Sequence, residues 1–353
     1  MAVSDSKLAP SSANLAGSDP TAAERKADHI EMAFAAQVDS AQLDQRFAYE
    51  PLLAAHPSQG SLATTPFAGH NQRAPLWVSS MTGGTERART INRNLARACA
   101  EFGLGMGLGS CRALLESEDR LADFDMRDLI GPDLPLFANL GVAQVQSLLD
   151  ANQFERIPAL IQTLRADGLI IHINPLQEWL QPEGDHFTQA PIDTVEAVLT
   201  KVDFPIIVKE VGQGMGPASL KRLLTLPLAA VEFAAGGGTN FSKLELMRCT
   251  PIQRGVYQAL EKVGHSAEDM VEFVNTAAAE LGDSLVCNFV IISGGVRNFL
   301  DGHYLRGKCK LPSMYGQASA FLRHATGDYA ELQSFVATQL RGLELAEAYL
   351  KVR

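Results

Sequence analysis

The chain has 353 residues, 46% of them hydrophobic and 20% charged, with mean hydropathy near zero; this excludes disordered and fibrous classes and leaves room for one large domain or two. Forty acidic residues against 30 basic ones give a formal charge of −10, which argues against a broad nucleic-acid surface and requires any anionic ligand to be held by a local cluster. No apolar run approaches the roughly 18 residues of a membrane span, and Cys99, Cys111, Cys249, Cys287 and Cys309 are odd in number without metal-ligand spacing, so reduced thiols in a cytoplasmic protein are expected.

Residues 1–23, rich in Ser, Ala and Asp and lacking the apolar centre of a secretory signal, read as a mobile tail. Residues 24–37 open an N-terminal arm, 24–74, with Ile30, Phe34 and Ala35 at helical spacing. From 75 to 353, short β-rich runs alternate with longer helical stripes, the rhythm of βα units. The predicted strands are 75–80, 104–109, 135–140, 168–173, 205–210, 229–234, 288–293 and 313–318. Ile91, Leu95, Ala98 and Phe102 mark the first amphipathic helix, and 328–350 supplies the last. Eight such units predict an α/β fold, a closed (β/α)8 TIM barrel with an N-terminal helix. The stretch 251–287, longer than one connection needs, predicts an inserted helical segment before the seventh strand.

In such a barrel the functional groups sit where strands end. Here those ends read SSMTGG, GSCR, ANLG, HINPLQE, KEVGQG, AGGGTNF, SGGVR and GQA. Taken singly, each motif has a plainer reading, since Gly turns a chain and Ser or Asn caps a helix. Together they concentrate polar groups at one mouth. GGGT (236–239) and SGG (293–295) can close backbone N–H groups on an anion. VGQGMG (211–216) is followed by Pro217 and departs from the dinucleotide fingerprint.

Lys209 interrupts the apolar run PIIVKE and shares strand parity with Ile207. It lies opposite Val208 and Glu210, and it either pairs with a glutamate inside the barrel mouth, presents a fixed charge to a ring or phosphate, or serves as a Schiff-base amine. In GLIIHINPLQEWLQPEGD (168–185), His172 and Asn174 share a face, and Pro175 is expected to send Gln177 and Glu178 into a loop over the mouth. Glu183 and Asp185 follow closely. Oxygen ligands without Cys or paired His suit Mg²⁺ rather than Zn²⁺. A phosphate-bearing substrate would draw on Arg25, Lys26, His29 and Arg112, although an Arg-Lys pair at a helix start is also an ordinary solvated charge pair.

Through ERKADHI (24–30), SSMTGG (79–84), GLGSCR (107–112), ANLG (138–141), IHINPLQE (171–178), QPEGD (181–185), VKEVGQG (208–214), GGGTNF (236–241) and ISGGVRN (292–298), the sequence resembles type 2 isopentenyl-diphosphate isomerase, the flavin-dependent form. The resemblance implies a homo-oligomeric barrel that binds FMN and Mg²⁺ and interconverts isopentenyl and dimethylallyl diphosphate, with NAD(P)H as flavin reductant. It implies FMN contacts at Met81, Thr82, Gly83, Ser110, Asn139, Lys209, Thr239, Gly294, Gly295, Arg297, Ala318 and Ser319. It implies substrate contacts at Arg25, Lys26, His29, Arg112, Asn174 and Gln177, a Mg²⁺ ligand at Glu178, and catalytic roles for Gln177 and His172 at the alkene end. The chain departs from the pattern at Cys111 and after ISGGVRN, where it reads FLDGHYLRGKCKLPSMYGQASAFL. A net oxidoreductase on the same barrel would consume reductant stoichiometrically, and a non-catalytic FMN-binding sensor would bind flavin without turnover.

Overall fold

The structure, a computed structural model, describes residues 21–81 and 83–353. The chain divides into two compact units, one ending at Gln45 and one running from Arg46 to Arg353. In the first, the helix Ala22–Met32 places Arg25 and His29 one turn apart on its exposed surface. Farther on, Asp39 and Gln42 close a reciprocal cap around the short turn Ser40–Gln42.

The second unit is a closed barrel of eight parallel strands. These are β1 (Leu76–Val78), β2 (Gly105–Gly107), β3 (Leu136–Gly141), β4 (Gly168–His172), β5 (Ile206–Lys209), β6 (Ala230–Glu232), β7 (Val290–Ser293) and β8 (Ser313–Gln317). Each pairs with the next, and β8 returns to β1 through Tyr315 opposite Leu76 and Gln317 opposite Val78. All eight predicted strands are present, with ends that shift by one or two residues.

The helix Glu86–Phe102 shows how the outer ring forms. Thr85 caps it by accepting from the Ala88 N–H at 3.1 Å, Ile91, Leu95 and Ala98 are buried along one stripe, and Gly103 ends it in the left-handed region. Burial of the Ile and Leu side chains contributes roughly 1.5–3 kcal/mol each. The predicted insertion is helical, with Pro251–Tyr257 and Ala267–Leu281 lying between β6 and β7. Tyr329–Tyr349 is the closing helix.

Inside the barrel, side chains fill successive layers. Trp77, Phe137, Ile170, Ile207, Ala230, Ile291 and Met314 form one apolar layer. The eighth strand of that layer carries Gly105, where a Cβ would collide with the Trp77 ring, so the indole occupies the space that β2 leaves. Phe67, from the hairpin Thr65–Phe67 with His70–Gln72, joins this layer with its ring 5.7 Å from Trp77 and 5.0 Å from Phe289. Residues 46–74, read from the sequence as part of the arm, therefore fold with the barrel unit, because Phe67 is one of its core side chains. Phe47–Tyr49 also pairs with Leu350–Val352. Among the described residues no helix is long and apolar enough to cross a membrane.

Candidate active site

Two residues along each strand from the apolar layer, the composition changes. The positions become Ser79, Gly107, Asn139, His172, Lys209, Glu232, Ser293 and Gly316. Strand alternation keeps them on the inner wall, and the register sets His172 beside Lys209 and Lys209 beside Glu232. An apolar floor thus supports a ring of polar groups at the carboxyl ends of the strands, the usual site of chemistry in this architecture.

On the β6–β8 side this ring opens into a pocket of about 520 Å³, lined among others by Met81, Lys209, Thr239, Gly294, Gly295, Ala318 and Ser319. Its rim is made of backbone. Gly294 has φ +86°, and a side chain there would overlap the backbone of Ala235. The loop after β6 approaches the loop after β7 backbone to backbone, the kind of side-chain-free glycine concavity that can take an anion. Ser79 Oγ, Ser80 Oγ and Glu232 Oε2 are buried and find no hydrogen-bond partner among the described residues, and their residues line the same pocket. Such orphaned polar atoms, above a glycine cradle, fit a polar, phosphate-bearing cofactor.

On the β4 side the site is built from interlocked side chains. Asn139 Oδ1 and His172 Nδ1 lie 2.7 Å apart. Burial, then the nearby Lys209 ammonium, push the His172 imidazole down to about 3, so the ring is neutral near pH 7, donates from Nδ1 and keeps a lone pair on Nε2. Pro175 does not open a loop, as expected from sequence, but occupies the first turn of the helix Pro175–Leu180, where its missing N–H costs nothing. That helix carries Gln177 and Glu178. Asn174 Nδ2 donates to Glu178 Oε1 at 2.9 Å and Gln177 Oε1 at 3.2 Å, while Asn174 Oδ1 is buried and unpartnered. Glu178 Oε2 accepts the Asp185 N–H at 2.8 Å, tying the QPEGD loop to the helix. Asp185 Oδ2 in turn accepts from Arg112 Nη1 at 3.0 Å and Gln144 Nε2 at 2.8 Å. Glu183 pairs with Arg248.

Among the described residues no three His, Cys, Asp or Glu side chains cluster as a ready-made metal cage. The donor set is instead the Glu178 carboxylate with the orphaned Asn174 carbonyl. That fits an ion such as Mg²⁺, which binds through one or two protein oxygens and completes its shell with water and phosphate.

An isopentenyl-diphosphate delta-isomerase from Rickettsia rickettsii (strain Sheila Smith) is 32% identical over 324 residues, covering 90% of either chain. The chain belongs to the isopentenyl-diphosphate delta-isomerase family. It is therefore an isomerase. The isopentenyl-diphosphate delta-isomerase of Rickettsia prowazekii (strain Madrid E) is likewise 32% identical, over 79% of this chain and 80% of its own. No family model matches the chain. Among solved structures, a flavocytochrome b2 variant with pyruvate bound superposes with a TM-score of 0.58 at 13% identity, over 86% of this chain and 72% of that one. A mandelate oxidase variant with (S)-mandelic acid gives 0.53 at 12%, over 88% and 87%. At these identities the likeness shows the shared barrel alone.

The isomerase brings most of its sequence-predicted site residues to one mouth. Met81, Lys209, Thr239, Gly294, Gly295, Ala318 and Ser319 line the glycine-rimmed pocket. His172 and Asn139 meet on the inner wall, and Asn174, Gln177 and Glu178 form one network. Gly83 packs against Phe124 and the Ser110 carbonyl. Thr82 lies outside the described residues. Arg297 stands apart, 86% exposed beside Asp301 on a neighbouring cleft with Arg46. Arg25, Lys26 and His29 belong to the first unit and are exposed there.

Among the described residues Lys209 forms no ion pair with a glutamate: its ammonium donates to the Glu210 carbonyl at 2.7 Å, while the Glu210 carboxylate accepts backbone N–H groups of Gly212, Gln213 and Gly214. Burial pushes the Cys111 thiol up to about 12, which makes it a packing group rather than a reactive one. The sequence reading missed Glu232 and Gln144. Parity along AAVEFA could have flagged Glu232 as a charge on a barrel wall, but nothing local marks Gln144, whose partner Asp185 is 41 residues away.

Proposed function

We propose that the chain is the type 2, flavin-dependent isomerase of its family, interconverting isopentenyl and dimethylallyl diphosphate with FMN and Mg²⁺. The carrying observation is the juxtaposition of a glycine-rimmed pocket with orphaned polar atoms and a neutral His172 beside the Asn174–Gln177–Glu178 network. The names of the relatives support the substrate; the FMN adduct of a structurally similar mandelate oxidase supports the cofactor. When bound in its reduced form, FMN supplies acid–base groups on its ring without net redox change.

The chain's own residues supply orientation and electrostatics. The loops at Thr239, Gly294, Gly295, Ala318 and Ser319 would hold the cofactor phosphate, and Lys209 would present a fixed positive charge on the pocket wall. Moving a double bond by one carbon needs a proton delivered at one carbon and another removed at an allylic one. Neutral His172 is no acid at pH 7; it orients the alkene, and Gln177, one helical turn into the mouth, assists proton transfer. Glu178 and Asn174 would hold Mg²⁺, which neutralises diphosphate charge. Arg112 would bind that diphosphate. NAD(P)H as the priming reductant, a homo-oligomeric state and a cytoplasmic location complete the proposal.

The test is anaerobic incubation of the dithionite-reduced protein with FMN, Mg²⁺ and isopentenyl diphosphate. Dimethylallyl diphosphate should form over many turnovers per flavin, with no stoichiometric use of reductant. No product despite bound, reduced FMN refutes the reading; NAD(P)H or oxygen consumed one-for-one with substrate identifies an oxidoreductase instead.

A further inference from the structure

Glu232 is fully buried on the inner wall at the end of β6 and lines the glycine-rimmed pocket, yet the mechanism above gives it no task. Its Oε1 accepts from Ser293 Oγ at 3.1 Å, and that hydroxyl is held in place by the Ala234 N–H at 3.0 Å. Among the described residues its Oε2 has no hydrogen-bond partner. Lys209 is its register neighbour on β5, but the ammonium is directed to the Glu210 carbonyl, and among the described residues the two side chains form no ion pair.

A buried carboxylate oxygen left without a donor is costly, and proteins keep such an arrangement where a ligand relieves it. The occupant must therefore offer a donor at this depth. A phosphate cannot, since it carries only acceptors and belongs at the backbone N–H groups of the rim. The donors of a phosphate-bearing flavin are the ring N–H groups and the hydroxyls of the chain between ring and phosphate, and the hydroxyls lie nearer the phosphate at the rim of the pocket that Glu232 lines.

We propose that Glu232 is a cofactor-binding residue whose Oε2 accepts a hydrogen bond from a hydroxyl of the flavin's ribityl chain. This deepens the flavin reading and rests on it. The pocket then selects along its length: donors at the rim for phosphate, an acceptor on the wall for a polyol, and the Lys209 charge beside it.

The test uses flavin-stripped wild type and Glu232→Gln, titrated by fluorescence with FMN, riboflavin and lumiflavin, the last lacking the hydroxylated chain. Glu232→Gln should weaken FMN and riboflavin by about tenfold, the effect of losing one charged hydrogen bond, and leave lumiflavin within about twofold. Its stripped form should melt at or above the wild-type temperature, because the buried oxygen without a donor is gone. Glu232→Asp, which keeps the carboxylate, should fall between the two. Unchanged FMN affinity overturns the proposal, as does a stripped Glu232→Gln that melts well below wild type, since the carboxylate would then be structural. An equal loss for lumiflavin places the contact on the ring and overturns it too. If wild type binds none of the three flavins, the flavin reading itself fails, independently of Glu232.

Discussion

The two sides of the barrel mouth are made by opposite means. On the β6–β8 side, side chains are removed until two loops touch backbone to backbone, and several polar atoms are left waiting for a partner. On the β4 side, Asn139 holds His172, and Asn174, Glu178, Asp185, Gln144 and Arg112 form one run of hydrogen bonds in which the Asn174 carbonyl is left over. The first is a shape that a ligand must complete. The second is a pre-formed network that a ligand must enter by exchange; in the proposed function a diphosphate would take Arg112 from Asp185.

This contrast can be broken experimentally, and the largest effect belongs to the glycine side. Gly294→Ala adds a methyl group into the Ala235 backbone at φ +86°, and we expect about 3 kcal/mol or more of lost stability, with loss of flavin. Urea unfolding and the visible spectrum report both. If Gly294→Ala unfolds like wild type and stays yellow, the two loops are not in contact as described.

On the network side, chemistry should fail while the fold survives. Glu178→Gln is expected to lower kcat/KM on the order of 100-fold, about 3 kcal/mol, and to weaken Mg²⁺ dependence, with the flavin spectrum unchanged. Flavin loss instead would join the two sides into one site.

The network should also register in pH. His172 is held well below its ordinary value near 6.5, at about 3, so below pH 6.5 the unfolded chain binds a proton that the native state refuses. Stability then declines as pH falls through that window. Relative to His172→Gln, wild type should lose about 2.5–3 kcal/mol by about pH 4.5, read from denaturant melts; parallel curves would place His172 in a solvated setting.

The smallest effect tests the exchange at Arg112. The Arg112 and Asp185 side chains are 52% and 34% exposed, so their pair contributes little. Asp185→Asn should tighten inorganic pyrophosphate binding by about two- to fivefold, and the gain should fade at high salt. Weaker binding would make Asp185 part of the diphosphate site rather than its competitor.

Much of the fold was legible because a barrel strand carries its own signature. PIIVKE and NFVIIS are apolar, β-branched and bounded by turn residues, so their type needs no distant information. The helix at 175–180 was misread for a local reason with two outcomes: Pro breaks a strand and also starts a helix, and only the packing of Leu180 and the Asn174 network shows which applies. The arm boundary was misplaced because Phe67 gains its role from Trp77 and Phe289, which local periodicity does not reveal.

The sequence by itself determined the eight βα units, the glycine clusters at strand ends and the identity of the groups at the mouth, since alternation and turn chemistry act over a few residues. Only the tertiary structure decided which of those groups meet. Barrel closure brings β8 beside β1 and stacks Lys209, Glu232 and Ser293 on one wall. The same closure turns Asp185 onto Arg112 and Gln144, and leaves Glu232 Oε2 without a donor. Those outcomes depend on distances across the barrel, where each side chain's partner is set by register and closure rather than by its neighbours in the chain.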